Sequence, residues 1–139
     1  MNLTDLVQYV HTHGGGVVST VGADGTPQGA YVAVAATDDG ELVFNAKPAS
    51  RKVANILRDA RAALTIGGRD GTSLQCEGVA EVLGGADLTQ CADAYYSAFP
   101  QFTRSNGDDI AFVRVRLAWA RYGQYVGDAF ESSEVDLTT

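Results

Sequence analysis

At 139 residues the chain has the length of one ordinary domain, expected to span 1–139, and can bury a core without a metal or disulfide staple. Seventeen Asp and Glu against ten Lys and Arg leave a formal charge of −7, which argues against nucleic acid and against anionic membrane surfaces. Any anion held by so acidic a protein must sit on a local positive island.

No apolar run approaches the roughly 18 residues of a spanning helix, and no basic stretch followed by an apolar one opens the chain. Cys76 and Cys91 fit no metal or redox spacing, so the expectation is a reduced, cytoplasmic protein with two buried or incidental thiols and no metal.

In chain order, "NLTDLVQYVHTHGGG" predicts a helix with a Leu3, Leu6, Val7, Val10 stripe, ended by Gly14 to Gly16. His11 and His13 fall near its C-terminus, where the dipole tolerates imidazole, and read as surface residues. The turns "ADGTP" and "TDDGE" then separate three β-rich runs, 16–22, 28–36 and 41–46, expected as an antiparallel meander. The middle run is apolar on both faces and is expected inside the sheet.

"PASRKVANILRDAR" predicts the next helix, capped by Ser50, with Val53, Ile56, Leu57 and Ala60 on one face. Strands at 61–67 and 72–84 follow around "GRDG", then a helix over 86–99 with Leu88, Cys91, Ala92, Tyr95 and Phe99 inward. After the loop "PQFTRSNGDD", the segment "IAFVRVRLAWARYGQYV" supplies one or two closing strands. Within it Arg114 and Arg116 alternate with Val113, Val115 and Leu117, as on a half-exposed strand. The tail "GDAFESSEVDLTT" is acidic and expected to be loosely held. Six or seven strands, mostly in hairpins, with one helix crossing between the third and fourth, predict a mainly β protein with helices: a closed or split antiparallel β-barrel with helices packed outside.

One helix start is charged against its own dipole. Arg51 and Lys52 follow the Ser50 cap, where unpaired N–H groups are already positive, and cations there cost about 0.3–1 kcal/mol each unless something offsets them. A phosphate would do so, because hydroxyl, guanidinium, ammonium and free N–H groups all donate. The same two side chains could instead extend into water or pair with the many carboxylates, and spacing alone leaves both readings open.

The segment "GELVFNAKPASRKVANILRDARAALTI" resembles the flavin-binding signature of the pyridoxamine 5′-phosphate oxidase-like split-barrel family, FMN-binding proteins in which Ser-Arg-Lys opens a helix. "DGTPQGAYVAV" is similar to that family's Asp-Gly-x-Pro hairpin and second strand, and "LQCEGVAEVL" to a later strand. The resemblance implies that Ser50, Arg51 and Lys52 hold the FMN phosphate, and that Asn45, Ala46 and Lys47 line the isoalloxazine edge mainly through backbone groups. It places Tyr31, Val32 and Ala33 under the ring, with Ser73 or Gln75, Gln75 favoured for its amide, reaching the flavin from the hairpin. It also implies a homodimer with the cofactor at the interface, where Trp119, Arg121 or Tyr122 of a second copy could approach.

Two departures separate the chain from the true oxidases. Ala30 stands where they carry an arginine, and no basic segment follows Tyr125, so oxidation of a vitamin B6 phosphate is not expected. The single compact basic cluster favours FMN over a deazaflavin with its longer phosphorylated tail. The expectation is a flavin-dependent oxidoreductase acting on a small molecule with NAD(P)H or another diffusible reductant, with no catalytic residue assigned. The alternatives are a non-catalytic flavin- or haem-binding stress or sensor protein, a deazaflavin-dependent reductase on the same fold, and a structural dimer without a ligand.

Overall fold

The computed structural model describes residues 1–104 and 109–139; part of the loop expected over 100–109 lies outside the described residues. Helix α1 (Leu3–His13) opens with a reciprocal cap. The Asp5 N–H donates to Asn2 Oδ1 at 2.9 Å and the Asn2 N–H to Asp5 Oδ2 at 3.0 Å. It stops at Gly14, whose φ of 71° is the left-handed conformation that glycine tolerates. Leu6, Tyr9 and Val10 are its buried residues.

Strands β1 (Gly15–Val21) and β2 (Pro27–Ala33) form the first expected hairpin, but the meander ends there. After Val34 the chain enters the short β3 (Ala35–Ala36), which pairs with β4 (Leu42–Ala46) and not with β2. The sheet order is β2-β1-β5-β6-β7-β4-β3, using β5 (Arg61–Gly67), β6 (Thr72–Val82) and β7 (Ala111–Val126). Its two ends, β2 and β3, are separated by Val34 alone, so chain continuity forces the path to curl into a split barrel. The Val34 N–H is bonded to the Gly14 carbonyl at 3.2 Å.

This corrects the expectation that 28–36 is an interior strand. The run is apolar on both faces because its residues serve different surfaces. Val32 and Val34 face the barrel interior, Ala35 joins a second core under a helix, and Tyr31, 76% exposed, faces outward.

The barrel interior is filled by alternate residues of β1, β4, β5, β6 and β7, with Val18, Leu42, Phe44, Leu64, Ile66, Leu74, Cys76, Val113 and Val115 inward. Gly78 lies at a bulge against β7, where a Cβ would collide with the Arg116 carbonyl. Helix α1 contributes Leu6 and Val10 to this core, and α2 (Arg51–Arg58) contributes Ile56. Helix α3 (Gly85–Ala98) packs outside, where Cys91, Ala92 and Tyr95 meet Ala35, Val43 and Phe112. Both cysteines are free and buried, and burial pushes the Cys76 thiol up to about 12.

Two further expectations are corrected. The tail is not loose: β8 (Ala129–Glu134) pairs with β7, Val135 is buried with its N–H on the Ala120 carbonyl at 2.9 Å, and Asp136 bonds Met1. Strand β4 covers β7 only over Ala111–Val115, so the rest of that edge needs backbone partners that β8 provides. Arg114 is not half-exposed but 5% exposed, within 2.6 Å of Glu81, 3.5 Å of Asp87 and 3.8 Å of Glu41. Among the described residues no helix is long and apolar enough to cross a membrane, and no group of His, Cys, Asp and Glu could hold a metal ion.

Candidate functional site

Ser50 caps α2 from an extended conformation, its Oγ accepting loosely from the Val53 N–H at 3.5 Å. The Ala54 N–H takes the Ser50 carbonyl at 3.2 Å. The N–H groups of Arg51 and Lys52 are left without a backbone partner, and no acidic residue stands in this first turn.

The other cations give these two their meaning. Arg61 pairs with Asp59, Arg104 with Asp93, Arg114 and Arg116 with Glu41 and its neighbours. Arg58 donates to the Val21 carbonyl and to Asn55, and Arg121 lies over the Trp119 ring. Lys47, Arg51, Lys52 and Arg69 have no partner among the described residues, and three of those four fall between 47 and 52. In a protein with seventeen carboxylates, the pairing alternative open at the sequence level is therefore not met there.

Arg51 and Lys52 face a cleft of about 200 Å³ whose other walls are Val18 and Thr20 of β1 and Gln28, Gly29 and Ala30 of β2. No carboxylate among the described residues lines it. Ala30, read from sequence as the missing arginine, thus belongs to the same cleft as the two cations. Behind it, Asn55 of α2 is 5% exposed and hydrogen-bonded to Thr20 at 3.0 Å and Gln28 at 2.8 Å. Sequence reasoning missed Asn55, although a polar residue one turn beyond Arg51, beside Val53 and Ile56, was a visible signal. The apolar face was read too wide: Leu57 is 73% exposed, and Ala60 lies beyond the helix end.

The remaining predicted residues scatter over three surfaces. Ala46 and Val32 are buried on the barrel side, and Ala33 packs toward α3. Asn45 turns to α3, beside the Tyr95 hydroxyl, while Lys47 is exposed in the loop before α2. Ser73 and Gln75 lie on the outer face of β6. There the registers place Tyr31, Val17, Thr65, Gln75, Arg121 and Glu134 in one row across β2, β1, β5, β6, β7 and β8. Tyr31 and Gln75 are three strand spacings apart, about 14 Å. Trp119 shares this outer face and donates through Nε1 to Glu134 at 3.1 Å, whereas Tyr122 packs inward on Tyr9, ring centroids 5.6 Å apart.

Both histidines are engaged. His11 Nε2 lies 3.1 Å from the Ala36 carbonyl and 3.2 Å from the Ala36 N–H, its role set by the tautomer. His13 stacks on Tyr9, with Nδ1 3.0 Å from the Tyr9 carbonyl and Nε2 2.9 Å from Asp70. Both partners only accept, so both hydrogen bonds are made together only when the ring carries both protons. Burial opposes that charge, but the Asp70 and Tyr9 hydrogen bonds outweigh it and raise His13 above its ordinary value.

A sequence profile described as pyridoxamine 5′-phosphate oxidase matches residues 4–130. The chain belongs to the pyridoxamine 5′-phosphate oxidase family. No curated protein matches its sequence. Solved structures that share the family member's fold include a haem binding protein from Mycobacterium smegmatis, with TM-score 0.74 and 17% identity. That match covers 96% of this chain but 61% of the other, so this chain spans about three fifths of that protein. A pyridoxamine 5′-phosphate oxidase-related, FMN binding protein from Nostoc punctiforme matches with TM-score 0.69 and 10% identity over 96% of this chain and 94% of that one. General Stress Protein 26 from Bacillus anthracis matches with TM-score 0.69 and 17% identity over 93% and 97%. At such identities the likeness speaks for the split barrel and its helices, and the site has to be argued from its own residues.

Proposed function

We propose that this family member is a cytoplasmic FMN-binding flavoprotein, a homodimer that acts as a flavin-dependent oxidoreductase on a small molecule, drawing on NAD(P)H or another diffusible reductant. The observation that carries the reading is the cluster of cations without partners at the Ser50-capped start of α2. A phosphate monoester fits its chemistry. Arg51 supplies a two-pronged donor, Lys52 a point charge, Ser50 a hydroxyl and the helix its free N–H groups, and among the described residues no carboxylate competes. With alanine at position 30, Arg51 and Lys52 carry the charge alone. When bound, the flavin itself supplies the hydride or electron transfer, and the protein supplies binding, orientation and shelter from water.

In this reading residues 45–47 border the ring through their backbone, Tyr31 offers it an exposed aromatic face, and Ser73 or Gln75 addresses it from β6. Tyr31 and Gln75 of one chain are too far apart to grip one ring from both sides, which supports a cofactor held between two copies. The outer sheet face supports the same assembly. Val17, Tyr31 and Val79 are exposed there, and burying such apolar surface drives association. The Nostoc relative, FMN binding by its name, fits this reading better than the haem binding neighbour, because both histidines of this chain already have partners.

The test is direct. The protein purified from cells is expected to be yellow and to release FMN on denaturation, identified by mass. The double substitution Arg51→Ala with Lys52→Ala is expected to lose the flavin while keeping its oligomeric state. A colourless protein that acquires no flavin spectrum when mixed with FMN overturns the proposal.

A further inference from the structure

The strand registers lay out the outer sheet face as a grid, and two features stand on opposite sides of the row that holds Gln75 and Arg121. Four residues beyond Arg121 on the same face of β7, about 13 Å along the strand, Tyr125 meets Phe130 of β8. Their rings lie edge to face with centroids 5.1 Å apart, and the two residues are 64% and 53% exposed. Phe130 lies over Gly123, where any Cβ would strike its ring, so the missing side chain gives the pair its seat. An aromatic knob held in this way offers apolar area with little rotamer freedom left to lose.

Four residues from Gln75 in the opposite direction, again about 13 Å, stands Val79 of β6. It borders a trough of about 440 Å³. Ser19, Ala63 and Ala118 line the trough with short side chains, and Val21, Pro27 and Val79 with larger apolar ones. Its cation, Arg61, is exposed, and its carboxylate, Glu77, lies on the side next to Trp119. The hairpin from Tyr125 to Glu131 carries Asp128 and Glu131 and no Lys or Arg, so the charge around the knob suits Arg61.

One chain cannot bring the two together, because they lie about 26 Å apart along a single sheet face. A second copy can. A two-fold axis lying between two such faces and passing close to Gln75 exchanges knob and trough, which makes the patch self-complementary. The span also suits the roughly 800 Å² that each partner gives to a stable interface.

We infer that the β7–β8 hairpin of each copy docks through Tyr125 and Phe130 into the trough around Ala63 and Val79 of a second copy. The inference rests on the homodimer proposed above and adds to it the contacts that hold it and the place of its axis.

Sedimentation velocity of the full chain tests it, with flavin absorbance read on the same samples. Phe130→Asp at the knob and Ala63→Trp in the trough are each expected to raise the dimer dissociation constant by about 100-fold or more, since each change acts at both symmetric contacts. Val126→Asp, also exposed but on the opposite face of the hairpin, is expected to leave it unchanged. Disulfide trapping gives an answer that does not depend on how those variants fold. Ser132→Cys and Ala118→Cys change small exposed residues beside knob and trough. The two proteins are expected to cross-link when mixed and oxidised, and not when either is oxidised alone; Cys76 and Cys91 are buried and stay out of the reaction. A dimer that survives both Phe130→Asp and Ala63→Trp, or a cross-link that either cysteine variant forms with itself, overturns the docking and leaves the flavin reading standing. A native protein that is monomeric at micromolar concentration overturns the docking and the homodimer together, whatever its flavin content.

Discussion

Two clusters of positive charge on this acidic barrel were built for opposite ends. Arg114 is buried in β7 among three carboxylates, Glu81, Asp87 and Glu41, gathered from three parts of the chain. Arg51 and Lys52 stand at the start of α2 with none, and with a helix dipole against them. Charge that the fold neutralises for itself is structure; charge it leaves unneutralised, at a cost, is available to a ligand. The contrast is sharpest in what substitution should do. Arg114→Ala leaves Glu81 and its neighbours uncompensated and is expected to destabilise the protein by about 3 kcal/mol, at the low end for a broken buried pair because the carboxylates are half exposed. Urea denaturation measures this, and FMN affinity per folded molecule should not move. A variant of native stability would make Arg114 as free as Arg51 and dissolve the comparison.

At the other cluster the signs reverse. Arg51→Ala with Lys52→Ala is expected to weaken FMN binding by about 100-fold, two charge-assisted contacts at roughly tenfold each. The unliganded protein should not lose stability. Reversing both charges to glutamate should stabilise it by about 0.5–1 kcal/mol, since carboxylates suit a helix N-terminus, while abolishing flavin binding. Melting curves of the apoproteins decide: a marked loss of stability would mean that the two cations do structural duty after all.

The outer sheet face extends the comparison from charge to apolar surface. α3 covers one side of the barrel with Cys91, Ala92 and Tyr95, whereas Val17 and Tyr31 across β1 and β2 have no such cover. If a second copy supplies it, Val17→Arg is expected to shift the protein toward monomer at micromolar concentration and to weaken FMN binding with it. Sedimentation velocity reads the first and flavin titration the second. A native protein that sediments as a monomer with flavin bound would confine the site to one chain.

The sequence announced its local devices and hid its distant ones. Gly14 and Ser50 end and begin their helices by conformations and hydrogen bonds made within a few residues, so punctuation was readable. The split at Val34 was not, because β2 and β3 part company only when β4 finds β7 far along the chain. The docking of "AFESSEV" was masked by its polarity, its pairing being set by the uncovered edge of β7 and not by its own side chains. At the site, the anomaly of Arg51 and Lys52 was legible as a violated helix rule. Asn55 showed only as a polar residue beside the apolar face of α2, since nothing local says that its amide will meet Thr20 and Gln28.

His13 is a third kind of cation, paired by Asp70 only while it is protonated, and so a milder test of the same distinction. Its folded-state pKa lies above the ordinary 6.5, after burial, which opposes the charge, is outweighed by Asp70 and the Tyr9 carbonyl. The stabilisation is therefore complete below about pH 6.5 and is lost as pH rises through the higher folded value. Asp70 works from the acid side. Hydrogen bonds from Thr72 and His13 hold it well below its ordinary 3.8, so its contribution is present above that value and lost only as pH falls through the depressed one. The link between α1 and the β5–β6 turn should thus be strongest between about pH 4 and 6.5. Melting temperature is expected to fall between pH 6 and pH 8.5 by more in the native protein than in His13→Gln, a difference smaller than any above. The other groups against this ring, the Tyr9 phenol and Thr72, change no charge in that range, so equal falls in the two proteins would show that His13 is neutral when folded and that its charge, unlike that of Arg114, was never part of the structure.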